Sequence, residues 1–330
     1  MALGLEGLRI GTWTAPSGSS GCTVVLPPEG AVGAVAVRGA APGTREAAAL
    51  GPSGKVSTCH AVVLSGGSAF GLATADGAVR WCEEHGIGHP VSIARVPIVG
   101  AAIILDAAVA DPASRPDADA GYAACEGAVE EDPPEGGVGV GAGCTIAKVG
   151  GLEHAWRGGQ GISVQRAAGV TVGAIVANNA VGELRGDDGA WIARARIPDD
   201  APRYPTHGGT LLGGPHDTPD GAVDAPGGPR EVEGPTGNTV IGAVVTDAVL
   251  SRRDAHRVAD LAHTGIARAV WPAHTDSDGD ALFCVATGRV TATVDLVAHL
   301  AATAVADAVR RGPMAATGRE GLPGLADDAA

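Results

Sequence analysis

The apolar positions of this chain fall mostly in short runs, and the period of the pattern changes along its length. Residues 22–26 (CTVVL) and 31–37 (AVGAVAV) are rich in β-branched side chains and are separated by Pro-Pro-Glu-Gly. That pattern predicts strands joined by turns over residues 8–39. Residues 61–64 (AVVL) run into Ser65-Gly66-Gly67-Ser68, and residues 69–85 then alternate at helical spacing. A strand is therefore expected to feed a glycine turn that opens a helix. Residues 96–110 are almost continuously apolar and are expected to be buried, whereas 111–119 (DPASRPDAD) reads as a loop. After an acidic and then Gly-rich stretch over 130–143 comes CTIAK at 144–148. Residues 169–176 form a clear strand pattern ending at Asn178-Asn179.

From 183 to 237 the pattern dissolves into Gly, Pro, Asp and His, as expected of a flexible connector. It ends abruptly at Asn238-Thr239, where residues 239–248 (TVIGAVVTDA) again read as a strand. Ser251 is a candidate N-cap for a helix to residue 269, residues 282–287 read as a strand, and 293–311 as an amphipathic helix. Residues 312–330 are expected to be a disordered tail. Strands, helix, strands, helix without regular βαβ alternation indicate a layered α+β fold, and residues 1–311 are expected to form a single domain.

Composition narrows the function classes. The 330 residues are 45% hydrophobic but only 3% aromatic, with 52 glycines, so much of the packing must involve small side chains. The net charge of −14, with no Lys/Arg cluster, argues against nucleic acid and against an anionic membrane surface as partners. No secretory signal pattern or apolar run of membrane-spanning length is visible, which makes the cytoplasm the expected compartment. Six scattered cysteines lack zinc-site spacing and are expected to be buried thiols.

The junction at residues 238 and 239 suits one particular chemistry. Attack by the Thr239 hydroxyl on the preceding carbonyl, followed by hydrolysis of the ester, would cut the chain before Thr239. The new terminus would carry a hydroxyl nucleophile and a free α-amine on one residue. With a reference pKa of roughly 8, that amine can serve as the general base. By itself a Thr opening a strand needs no function.

Several motifs in this order change the weight of that junction: VRGAAPGTRE at 37–46, LSGGSAFGL at 64–72, ARVPIV at 94–99, GAGCTIAK at 141–148, Asn238-Thr239 and Asp278-Gly279-Asp280. Together they resemble the family of L-aminopeptidase/D-esterases, β-peptidyl aminopeptidases and nylon-oligomer endohydrolases, over about residues 8–311. The resemblance implies a precursor that self-cleaves between Asn238 and Thr239 into α (1–238) and β (239–330) chains. It also implies a four-layer sandwich of two sheets between helices, shared with ornithine acetyltransferases. Thr239 matches the nucleophile and Lys148 an active-site lysine. An oxyanion-hole asparagine falls at Asn178 or Asn179, with Asn179 preferred for its N-A-V-G context. Asp278 and Asp280 match acidic residues that hold the new ammonium and support self-cleavage. Ser65, Gly66, Gly67, Ser68 and Phe70 match the substrate-pocket floor. No metal or cofactor is implied; Asp276, Asp278 and Asp280 could be read as a calcium loop, but no glutamate stands at the EF-hand closing position.

The chain departs from the family pattern at Gly100, Leu105 and Ala281, and in the length of its 183–237 connector. The resemblance implies hydrolysis of small peptides, amino-acid amides or oligoamides by a homo-oligomer, a tetramer or larger. The alternatives are an ornithine-acetyltransferase-type acyltransferase on the same fold and a binding protein that never matures.

Overall fold

The computed structural model describes residues 1–201, 237–319 and 321–327. Ten strands build two five-stranded sheets: β1 (Arg9–Thr14), β2 (Gly21–Leu26), β3 (Val32–Val37), β4 (Thr44–Arg45), β5 (Ala61–Ser65), β6 (Val99–Ile103), β7 (Gly159–Ala167), β8 (Val170–Asn179), β9 (Thr239–Ala248) and β10 (Ala281–Val290). The first sheet has the order β1-β2-β5-β6-β4 and the second β7-β8-β9-β10-β3. Reading across either sheet, the pairs run antiparallel, antiparallel, parallel, antiparallel. Among the described residues four α-helices accompany them: α1 (Thr74–Glu84), α2 (Ala118–Glu126), α3 (Arg252–Ala269) and α4 (Val294–Met314).

Strand alternation sorts the core. In β9, Ile241, Ala243 and Val245 join Ile175 and Phe283 in a cluster shared with Val25, Val62 and Leu64 of the first sheet. The intervening Val240 and Val244 pack with Val258, Ile266, Ala301 and Val305 of α3 and α4. On the other sheet, Val24 and Val63 meet Ala78 and Trp81 of α1 and Ala124 of α2. Strands buried on both faces read as unbroken apolar runs, which is why β2, β5, β8 and β9 were conspicuous in the sequence. Each fully buried Val or Phe among these contributes roughly 1.5–3 kcal/mol. Small residues set the layer spacing: a Cβ on Gly265 of α3 would lie 2.2 Å from the Ala302 carbonyl oxygen of α4.

Most expected elements are present. The glycine turn after β5 has Gly67 at φ +80 and passes through a short 3-10 turn into α1. Ser251 caps α3 by accepting from the Asp254 N–H at 3.2 Å, and Thr293 caps α4 through the Leu296 N–H. All six cysteines are free and buried. Three readings need correction. The apolar stretch 96–110 forms a buried strand only over Val99–Ile103, and Val96 and Leu105 are exposed. The connector begins later than residue 183, because Glu183–Arg185 and Trp191–Ala193 pair as strands. The carboxylate of Glu183 accepts the Ala195 N–H at 3.0 Å, which anchors this excursion; residues 202–236 of the expected connector lie outside the described residues. The expected disordered tail instead begins inside α4, and its residues 320 and 328–330 lie outside the described residues. Beyond it, Ala316 and Leu322 are buried, Pro323 accepts from the Arg157 backbone N–H, and Asp327 gathers the Gly318 and Gly324 N–H groups. Among the described residues no helix is long and apolar enough to cross a membrane.

Candidate active site

The ends of β8 and β9 bring the chemistry together. Their antiparallel register sets Asn179 opposite Thr239 and Asn178 opposite Val240. Successive side chains of a strand point to opposite faces. Asn178 follows Val176 and Ala174 toward the helices, where its Nδ2 donates to the Val309 carbonyl of α4 at 3.0 Å. Asn179 follows Ile175 and Ala177 toward the first sheet. There Nδ2 donates to the carbonyls of Gly237 and Leu105, each at 3.1 Å.

The Asn179 amide is held in that orientation from behind. Its Oδ1 accepts the Thr145 N–H at 2.9 Å, the Thr145 hydroxyl at 3.2 Å and Lys148 Nζ at 3.1 Å. Lys148 follows Ala147 at φ +54, in a turn whose backbone N–H groups bind the carbonyls of Gly182 and Val181. Its ammonium donates to three oxygens: the Asn179 carbonyl at 2.8 Å, Asn179 Oδ1 and the Gly237 carbonyl. Lys148 is 1% exposed, and burial pulls its pKa from 10.5 to about 7 against the opposing charge of Asp278.

Parallel pairing of β9 with β10 brings in the acidic segment. A bridge links Asn238 to Asp278, and the Gly279 N–H donates to the Asn238 carbonyl at 3.1 Å. The Thr239 hydroxyl donates to that same carbonyl. A Cβ on Gly279 would sit 2.7 Å from the Ala41 carbonyl oxygen and 3.1 Å from Thr239 Oγ1, so this close approach requires glycine. Asp280 Oδ1 accepts the Val240 N–H at 2.6 Å, while its Oδ2 faces His274 Nδ1 at 2.6 Å. Asp278 Oδ2 accepts the Thr275 N–H at 2.6 Å. Burial, with the neighbouring Asp280 charge, raises Asp278 to about 6. Asn238, Thr239, Asp278 and Asp280 are all buried.

Six expected residues therefore converge: Thr239, Asn238, Lys148, Asn179, Asp278 and Asp280. Asn178 sits beside them but faces α4. The Ser65–Phe70 turn meets the cluster at one remove: the Ser68 N–H donates to the Ile104 carbonyl, next to the Leu105 carbonyl that Asn179 binds. Buried Asp106 fixes the turn by accepting the Gly67 N–H and the Ser20 hydroxyl, and a Cβ on Gly66 would lie 2.3 Å from its Oδ2. The Ser65 hydroxyl donates to the Gly66 carbonyl, and Phe70 lies exposed under the Arg115 guanidinium. Sequence reasoning missed Thr145, the Gly279 N–H and His274. The first is inside the quoted GAGCTIAK motif and the second between the two aspartates, but nothing in the pattern distinguishes His274 from a loop histidine. Among the described residues no group of three or more His, Cys, Asp or Glu is arranged to hold a metal ion, the Asp276/Asp278/Asp280 run included.

The chain is similar to proteins named as aminopeptidases and as an oligomer endohydrolase. An "uncharacterized aminopeptidase" of Mycobacterium tuberculosis is 39% identical over 325 residues, covering 93% of this chain and 89% of its own. A 6-aminohexanoate-oligomer endohydrolase of Paenarthrobacter ureafaciens is 31% identical over 292 residues, covering 86% and 74%. Two solved structures share the fold: a β-aminopeptidase of Burkholderia sp. (TM-score 0.71, 20% identity, 98% of this chain and 90% of that one), and the L-aminopeptidase D-Ala-esterase/amidase of Ochrobactrum anthropi, described as a variant of the Ntn-hydrolase fold (TM-score 0.71, 18% identity, 97% and 87%). The model of peptidase family S58 matches residues 4–325, from ahead of β1 to beyond α4, and the chain belongs to that family.

Proposed function

We propose that this peptidase is made as an inactive precursor, opens its own backbone between Asn238 and Thr239, and then hydrolyses amide bonds of small peptides, amino-acid amides or oligoamides through an acyl-Thr239 intermediate. The observation that carries the reading is the Asn238 carbonyl. Its oxygen is bound by the Gly279 N–H and by the hydroxyl of the very residue whose amide nitrogen would leave. In self-cleavage Thr239 Oγ1 bonds to the Asn238 carbonyl carbon, the C–N bond breaks, and the hydroxyl proton ends on the Thr239 nitrogen. Water then hydrolyses the ester, leaving a carboxylate on Asn238 and a free amine on Thr239.

In turnover that amine takes the Thr239 proton as the hydroxyl attacks the substrate carbonyl, and the acyl ester is released by water. Lys148 and the Asn179 amide, both aimed at the Gly237 carbonyl, are placed to receive the substrate oxyanion once the new α-chain end moves away. An aimed donor of this kind contributes roughly 3–4 kcal/mol to lowering a barrier. The three buried clusters described above support reading the two sheets and the helix pairs as four stacked layers.

Intact-mass measurement and N-terminal sequencing of the purified protein test the proposal. Two fragments are expected, the smaller beginning Thr-Val-Ile-Gly, together with hydrolysis of an amino-acid p-nitroanilide or a 6-aminohexanoate oligomer. Thr239→Ala is expected to give one uncut, inactive chain. Full-length protein that turns over these substrates would overturn the mechanism, and acetyl transfer from acetyl-ornithine to glutamate without hydrolysis would point to the acyltransferase.

A further inference from the structure

His274 stands just upstream of the acidic segment and has no part in the chemistry described so far. Its backbone is left-handed at φ +55, an uncommon conformation for histidine, and its ring is mostly buried. Both ring nitrogens face acceptors: Nδ1 lies 2.6 Å from Asp280 Oδ2 and Nε2 lies 3.2 Å from the His263 carbonyl of α3. A neutral imidazole has one N–H, so either tautomer would press a lone pair against an oxygen. Only the imidazolium donates to both. The recipient, Asp280, is itself buried and spends its other oxygen on the Val240 N–H, the first amide after the candidate nucleophile. A buried carboxylate needs a counter-charge, and His274 stands in contact with it.

We infer that His274 is a positioning residue held as an imidazolium, which locks the Asp280 carboxylate onto the Val240 N–H and so fixes Thr239 against the Asn238 carbonyl. The inference rests on the self-cleavage reading above. The surrounding charges support it. From α3, His263 meets His274 edge-on at 5.0 Å, but its Nε2 faces the Ala36 carbonyl and burial depresses its pKa to about 4, so it stays neutral. Beyond the end of β3, Arg38 is engaged with Asp260, whose second oxygen takes Arg257. On its own loop, Asp278 is turned to the Thr275 N–H, and the Lys148 charge opposes its own. Burial alone would lower the His274 pKa, but the hydrogen bond and charge of Asp280 outweigh it and raise the value above that of a free imidazole. The sign is then fixed: the lock is complete at and below the ordinary histidine range and is lost as pH rises through the raised value.

Two measurements test this. In uncut Thr239→Ala protein, nitrogen-15 spectra of labelled histidine should show His274 protonated on both nitrogens at pH 7, titrating above an ordinary histidine. Adding Asp280→Asn should bring its titration back down. A neutral His274 at pH 7 overturns the proposal whether or not the natural chain cuts itself. In the otherwise natural sequence made by cell-free translation, His274→Gln keeps a donor but cannot titrate. Fragments should appear about tenfold more slowly or worse at pH 7, the scale of one charged hydrogen bond, and the alkaline fall in cutting rate should vanish. Equal rates with an unchanged alkaline limb overturn it. Failure of the natural chain to yield fragments would sink self-cleavage, with the spectra still deciding the charge on His274.

Discussion

At the scale of single residues, the adjacent asparagines show how one step along a strand separates a side chain that braces α4 from one that joins the candidate site. Asn178→Ala removes a donor to the Val309 carbonyl of α4. It should lower stability by about 1–3 kcal/mol and leave turnover near normal. Asn179→Ala removes the amide aimed at the Gly237 carbonyl and the acceptor of Thr145 and Lys148; it should lower stability at least as much, and in addition kcat should fall roughly 100- to 1,000-fold. Equal kinetic effects from the two variants would refute the assignment. Both residues were visible in the sequence, and the N-A-V-G context favoured Asn179, but the physical ground for the choice was not. It depends on which face of β8 meets the first sheet, a fact of register rather than composition. Lys148 was legible as a lysine in a Gly-rich, apolar stretch, whereas its near-neutral pKa follows from burial that only the fold supplies. Because its folded value lies below its unfolded value, the unfolded chain binds more protons between about pH 7 and 10.5. The natural protein should therefore gain stability relative to Lys148→Met as pH rises through that window, and denaturant midpoints measured at pH 7 and pH 9.5 check the direction.

At the scale of elements, the parallel pairing of β9 with β10 puts a loop glycine beside a candidate nucleophile forty residues away. Gly279→Ala would force a methyl group toward the Ala41 carbonyl and Thr239 Oγ1. Self-cleavage should slow more than about tenfold in a chain that still folds, since overpacking of this size costs roughly 1–3 kcal/mol; a gel time course after translation measures it. The strands that pair here were readable because they are buried on both faces and carry unbroken Val, Ile and Ala. Elements with weaker local signals were not. The helix Ala118–Glu126 begins inside the Pro- and Asp-rich run 111–119, whose composition favours a loop, and Asp117 of that run is its N-cap. The strand Gly159–Ala167 alternates Gly, Gln and Ser with few apolar residues, because much of its length is only partly buried. Its pairing with β8, rather than its own sequence, makes it a strand.

At the scale of the whole molecule, the proposed cut falls at the start of a strand that the rest of the protein encloses. In the second sheet β9 and β10 belong to the fragment beginning at Thr239, while β7 and β8 on one side and β3 on the other belong to the fragment ending at Asn238. The cut would thus remove one covalent bond without opening either flank of the pair. Ile241, Ala243, Val244 and Val245 are fully buried, and α3 and α4, both after the cut, cover a face whose β3, β7 and β8 strands lie before it. Separating the fragments would expose four sheet edges: those of β8 and β3 on one fragment and those of β9 and β10 on the other. It would also expose apolar cores on both pieces, at a cost far beyond the stability of a typical domain. The mature protein should therefore elute from a sizing column as one species containing both fragments in equal amounts, and come apart only in denaturant. Once separated, neither piece should refold alone, because each retains only part of the sheet that buries its apolar strands. Recovery of a folded, soluble 1–238 fragment would show that the second sheet is not the element joining them.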